Sequence, residues 1–314
     1  MAALVLAVSA NSRAASLQRR DLPAEPSWLI HLDCDALRPT SIGQFVLSEL
    51  DKPKTQEQLA SFQSVFNLDP RTQLHGLTLY SLSGTPEDGV LLVYADFDPE
   101  RLTALAQGAT DHESTTHNQH VIHSWIGQEK RSRKSAASRV YAAIHERRVI
   151  FGQRENSVAS ALDVLDGSAP NLSSTKSYAQ MGRESRHCFL QGAARKLEFQ
   201  DSGPHAAIFR LAKGLRLEMG EAQQQATATL FVEANSDDVA GQIAAVGQGL
   251  LALVKLQSEK PEAAKLAEAI SLKQDGATVV AKVSMPASTA IELFKADEAR
   301  KEQKRAARKR ARAD

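Results

Sequence analysis

Three histidines recur at intervals of three, His117, His120 and His123, and Asp111, His112 and Glu113 lie just upstream. No other stretch of the chain gathers as many groups able to hold a metal, and imidazole with carboxylate is the donor set of zinc and related ions. An interval of three suits one face of a helix. The residues in between, Val121, Ile122, Trp125 and Ile126, instead favour a strand, where that interval sends neighbouring histidines to opposite faces. A loop running into a strand still lets His112, His117 and His120 converge. The sequence therefore offers His112, His117, His120 and His123 as metal candidates, against the simpler reading of a solvated histidine-rich loop.

The second constellation is WLIHLDCDALRPT, where Asp33 and Asp35 end an apolar run. Haloacid-dehalogenase-like phosphatases use that spacing for a nucleophile and an acid/base. Their pattern expects Thr or Val where this chain has Leu37, and no downstream lysine with paired aspartates follows. Asp33 and Asp35 then read as turn-forming and capping residues after a strand. There is no Gly-x-Ser-x-Gly elbow and no Gly-rich phosphate loop ahead of a helix, and GQGLL at Gly247 falls inside a helical pattern. With no catalytic or cofactor signature, the expectation is a non-enzymatic protein without a cofactor. The alternative is a metal-dependent or phosphoryl-transfer hydrolase using the histidines or Asp33 and Asp35.

Cys34 and Cys188 each sit near the start of one half of the chain, so in an oxidising compartment they are candidates for one bridge; two packed thiols are the other reading. Neither has a motif that activates a thiolate. The last twenty residues carry nine Lys/Arg against four acids, so the rest of a chain with net charge +1 stands at −4. Such a body does not attract nucleic acid. Polyanion contact would have to come from Arg305, Arg308, Lys309, Arg310 and Arg312 in the tail, which lacks aromatic residues for stacking on bases. A nucleic-acid-associated protein acting through this tail is the second alternative. The basic run 130–134 reads as an exposed hairpin loop.

The elements that must position these groups come as one pattern met twice. GLTLYSLSGTPEDGVLLVYADFDPERLTALA from Gly76 and GLRLEMGEAQQQATATLFVEANSDDVAGQIAAV from Gly214 align without a gap, as two strands and a capped helix. Asp98 matches Ser236 as helix cap. Around this unit the patterning predicts a strand at 28–33, a helix from Ser41, strands at 121–126, 140–145 and 149–152, and a helix over 155–165. In the second half an apolar stripe from Val239 to Val254 marks a long helix, Asp275-Gly276 a hairpin turn, and a last helix follows Pro286. At 42% hydrophobic and 24% charged, 314 residues suffice for two modest cores.

MAALVLAVSANSRAAS is a short apolar run ending in small residues, with Val8-Ser9-Ala10 and Ser12-Arg13-Ala14 as cleavage-like triplets. It reads as the end of a signal peptide whose basic start is missing. No later segment approaches twenty uninterrupted apolar residues, so no transmembrane segment is expected. WLIHLDCDALRPTSIGQFVL, GVLLVYADFDPERLTALA, ALDVLDG and GLRLEMGE together resemble an uncharacterised family of exported bacterial two-repeat α+β proteins over most of 26–296. The resemblance implies a secreted α+β protein and supplies no activity.

The expected organisation is a signal-like segment and linker at 1–25, a first half at 26–167, a connection at 168–186, a second half at 187–296 and a basic tail at 297–314. Each half is expected to be a mainly antiparallel sheet with helices on one face. The function so read is an exported, periplasmic binding or scaffold protein, an envelope component or self-associating, whose ligand sits between the halves or on an open sheet face.

Overall fold

The computed structural model describes residues 16–127, 139–181, 187–195, 211–257 and 266–310. Its centre is the strand predicted first. β1 (Trp28–Asp33) pairs antiparallel on one side with β2 (Leu74–Ser81), from its own half, and on the other with β8 (Cys188–Ala194), the first strand of the second half. The halves thus share one sheet. Outward from β2 run β3 (Gly89–Ala95), β7 (Arg148–Gly152), β6 (Arg139–His145), β5 (His120–Ile126) and β4 (Glu113–His117). Outward from β8 run β9 (Ala212–Ala222), β10 (Gln225–Ala234), β12 (Thr278–Pro286) and β11 (Ile270–Asp275). Every neighbouring pair is antiparallel, so the α+β class with a mainly antiparallel sheet holds for both halves.

Short α1 (Cys34–Leu37) and α2 (Ser41–Leu50) follow β1, and α3 (Pro53–Phe66) precedes β2. The helix after β3, α4 (Pro99–Gln107), starts where Asp98 Oδ1 accepts the Glu100 and Arg101 N–H groups at 3.0 and 3.2 Å. Its counterpart after β10, α6 (Asp237–Gln257), starts with Ser236 Oγ accepting the Val239 N–H at 3.3 Å. Both helices lie on the face that carries Ile30, Val149 and Leu230. The α5 helix (Glu155–Leu165) lies on the other face of the first half, so helices cover both faces there and not the single face expected. There Val158, Ala161 and Leu162 meet Tyr80, Val90, Leu92, Ile122 and Ile150, all fully buried or nearly so. Residues alternate across a strand, so Ile150 reaches α5 while Val149 and Phe151 reach α3 and α4.

A second cluster forms where Ala240, Ile243 and Ala244 of α6 cover Val232 and Val279. Gly247 lets the helix approach β11: a Cβ there would stand 2.8 Å from Leu272 Cδ1. The segment Asp237–Leu256 is long and apolar enough to cross a membrane by length and composition, with Val246, Leu253, Val254 and Leu256 exposed. The Asp275-Gly276 turn closes the β11–β12 hairpin with Gly276 at φ +54°. The last helix, α7 (Ala287–Arg310), continues without a break into the basic tail.

Two segments read from sequence as linkers are packed against each other. Leu17 and Leu22 from the N-terminal stretch, with Leu172 and Met181 from the connection, belong to the first core. The Arg19 guanidinium donates to the Leu172 and Ser177 carbonyls at 2.8 and 3.0 Å. Asp21, 3% exposed, accepts Arg148 Nε at 2.9 Å and the Tyr94 hydroxyl at 3.2 Å, which fastens the same stretch to β7 and β3.

Candidate functional site

The histidines predicted as one group separate into three. β5 is a strand, so His120 and His123 face opposite sides of the sheet. His123 meets His112, Nδ1 to Nε2 at 3.0 Å, on the α4 side. His117, at the end of β4, pairs with Asp163 of α5 at 2.8 Å, and Asn118 donates to the same Asp163 oxygen. His120 pairs with Asp166, at the C-terminal cap of α5, and so does His145, which the sequence reading left out. The β5–β6 ladder ends at Ile122 opposite Ala143, and His120 and His145 lie two residues beyond it on their respective strands. The two rings are 5.2 Å apart. Their Nε2 atoms stand 2.9 and 3.0 Å from Asp166 Oδ2 and Oδ1 respectively. Burial alone would raise the Asp166 pKa, but the hydrogen bonds from His120 and His145 outweigh it and hold the carboxyl below its usual range. The residues 113–117, part of what reads in sequence as a histidine-rich loop, form the strand β4; polar throughout, it needs only the backbone of β5 as an exposed edge.

Asp33 and Asp35 diverge. Asp33 caps α1, accepting the Ala36 N–H at 2.8 Å, and its partial burial raises its pKa. Asp35 pairs with Arg38 at 2.7 Å and with His75 Nδ1 at 3.0 Å, and His75 Nε2 reaches Asp96 at 3.1 Å on the other side. Arg147 also pairs with Asp96. Asp33 is thus a helix cap, while Asp35 holds one end of a chain of ion pairs that runs through His75 of β2 to Asp96. Cys34 and Cys188 are free thiols, two residues beyond the Leu32–Leu190 end of the β1–β8 ladder. Burial pushes the Cys34 thiol up to about 11. Arg305, Arg308, Lys309 and Arg310 lie on the last turns of α7, Arg312 lies outside the described residues, and so does the basic run 130–134.

A concave feature with almost wholly apolar walls lies on the other face, between the sheet and the helices α3 and α4. One cavity of about 350 Å³ is walled by Phe66, Leu102, Leu105, Ala106, Trp125, Ile144, Val149 and Phe151, and His123 also lines it. A second, of about 310 Å³, abuts it and shares Phe66, Leu102, Val149 and Phe151, then continues past Phe62 and Leu77 to Leu74 and Pro70. Burial, and then neighbouring His112, push the His123 pKa below the usual imidazole value, so the wall is neutral at pH 7. The roof is α3, in which no described residue is fully buried; Phe62 and Val65 remain 39% and 44% exposed. Asn67, at φ 51°, ends that helix, and Arg101 of α4 donates to the Val65 carbonyl at 2.8 Å, tying roof to wall. Sequence reading missed α3, although Pro53 at its first turn and the spacing of Phe62 and Phe66 signal a helix.

No protein-family model matches this sequence, and no curated protein matches it. Its layout is similar to that of TP0453. Crystal form III of that protein aligns with TM-score 0.48 at 10% identity over 89% of this chain and 98% of the other. Crystal form I aligns with TM-score 0.44 at 10% identity over 90% and 98%.

Proposed function

We propose that this protein is a non-enzymatic, exported binding protein whose ligand is an acyl chain, held between α3, α4 and the sheet. The observation that carries the reading is the pair of abutting cavities, about 350 and 310 Å³, with almost wholly apolar walls and four residues in common. Pockets that bury small ligands begin at about 300 Å³. Two such spaces end to end suit a long flexible chain better than a compact ring. The shallow seating of α3 supports its role as a roof that lifts to admit the ligand.

Trp125 lines the cavity and Trp28 is the chain's other tryptophan, so a Trp28→Phe protein carries its single indole at the site. Titration with palmitate should change Trp125 emission saturably, with about one ligand per chain. An emission unchanged up to the solubility limit of palmitate overturns the reading.

Export and periplasmic residence rest on the apolar run at 1–10 and its small-residue triplets. Cell fractionation with intact-mass measurement tests this: a periplasmic product cleaved between residues 10 and 15 is expected, and a full-length cytoplasmic chain refutes it. Descent of the two halves from one duplicated unit is supported by their common order of strand, hairpin, capped helix and returning strand on either side of the β1–β8 pair.

A further inference from the structure

We propose that His120, His145 and Asp166 form a divalent transition-metal site, with zinc as its natural class of ion, fastening the C-terminal end of α5 to β5 and β6. The three groups come from three elements and converge for a structural reason. His120 and His145 each lie two residues beyond the Ile122–Ala143 end of the β5–β6 ladder, their rings 5.2 Å apart on the face that α5 covers, and the helix ends at Asp166, which pairs with both. One ligand atom from each residue lies within 4.8 Å of the other two.

In a tetrahedral zinc site, bonds of 2.0–2.1 Å place neighbouring ligand atoms about 3.3 Å apart. Asp166 Oδ1 stands 3.0 Å from each of the two Nε2 atoms, separations that need to open by only a few tenths of an ångström. Two imidazoles with one carboxylate select zinc, cobalt or nickel over calcium or magnesium, which prefer all-oxygen shells. Three protein ligands leave a position for water, and the side chains of His120 and Asp166, 14% and 18% exposed, leave it a path.

The neighbouring His117–Asp163 pair belongs to the next turn of α5 and lies outside this triad. His145 Nδ1 is buried without a hydrogen-bond partner among the described residues. A ligating histidine whose second nitrogen lacks a partner binds about 10–100-fold more weakly, so micromolar affinity is expected here in place of the tighter binding of structural zinc centres.

The test uses the full chain without a histidine tag, stripped with a chelator and titrated with Zn²⁺ by calorimetry and with Co²⁺ by visible absorption. One site per chain is expected, with the intense d–d bands of a four-coordinate cobalt ion. His145→Gln and Asp166→Asn should each weaken binding at least tenfold, and His117→Gln should leave it within twofold. Zinc should raise the thermal midpoint of the wild-type chain and of His117→Gln, and not that of the other two. Absence of stoichiometric binding below about 100 μM overturns the proposal. So does binding that survives His145→Gln and Asp166→Asn in folded protein, or that is lost with His117→Gln alone.

Discussion

Replacing Ala106 with leucine adds three carbons to the wall of the cavity under α4, a space of about 350 Å³. Alanine and leucine are the two most compatible residues with a helix interior, so α4 itself should be undisturbed. Each methylene buried against an apolar wall contributes about 0.8 kcal/mol, so a leucine that takes the room of three should cost the ligand about 2.4 kcal/mol, or about 60-fold in Kd. The same figure fixes the wild-type behaviour. Lengthening a fatty acid by one methylene should tighten binding about fourfold until the two cavities are full. Both series are read by Trp125 emission in the Trp28→Phe background, with circular dichroism and thermal unfolding to show that the variant is folded. A folded Ala106→Leu protein that binds palmitate within twofold of the parent refutes the placement of the chain in this cleft.

Other expectations follow from contacts elsewhere in the molecule. Arg101→Ala removes the guanidinium that α4 donates to the Val65 carbonyl, so the roof should loosen and amide hydrogen exchange in α3 should rise with little change in the sheet. Glu221 of β9 accepts the Ser41 and Ile42 N–H groups at 2.8 and 3.0 Å, capping α2 across the junction of the halves, and Glu221→Ala should cost about 1–2 kcal/mol in denaturant unfolding.

Burial opposes ionisation of Glu221, but these hydrogen bonds prevail and hold its pKa below the usual 4.5. Its contribution is therefore complete above pH 4.5 and fades as pH falls through the lower folded value, so the stability gap between wild type and Glu221→Ala should narrow in acid. Asp21→Ala leaves Arg148, whose side chain is 13% exposed, without its buried partner and should cost about 3–5 kcal/mol, the largest loss among these variants. With its thiol near 11, Cys34 carries roughly two hundredfold less thiolate at pH 8 than a free cysteine, so alkylation in the native state should be slow and should accelerate with pH.

Where local chemistry decides the outcome, the sequence was legible. Asp98 followed by proline starts α4, the apolar run at 28–33 makes β1, and α5 occupies the interval its apolar spacing sets, 155–165. The opposite facing of His120 and His123 also follows from strand periodicity alone. His145 escaped notice because its partnership with His120 depends on register, which the hydrogen-bond ladder sets and no local pattern states. Asp166 looked like the end of a helix before a glycine, and its approach to two imidazoles depends on where α5 lands on the sheet.

By itself, then, the sequence determined the elements that carry a cap, a turn signal or a strong apolar pattern, such as β1, α4, α5 and the β11–β12 hairpin, because those signals act over a few residues. Tertiary structure decided that β1 pairs with β8 to merge the halves into one sheet, that the supposed linkers fill a core, and that α3 and α4 stand off the sheet far enough to leave an apolar cleft. Those outcomes depend on how side chains distant in sequence share space, and packing of that kind has no local code.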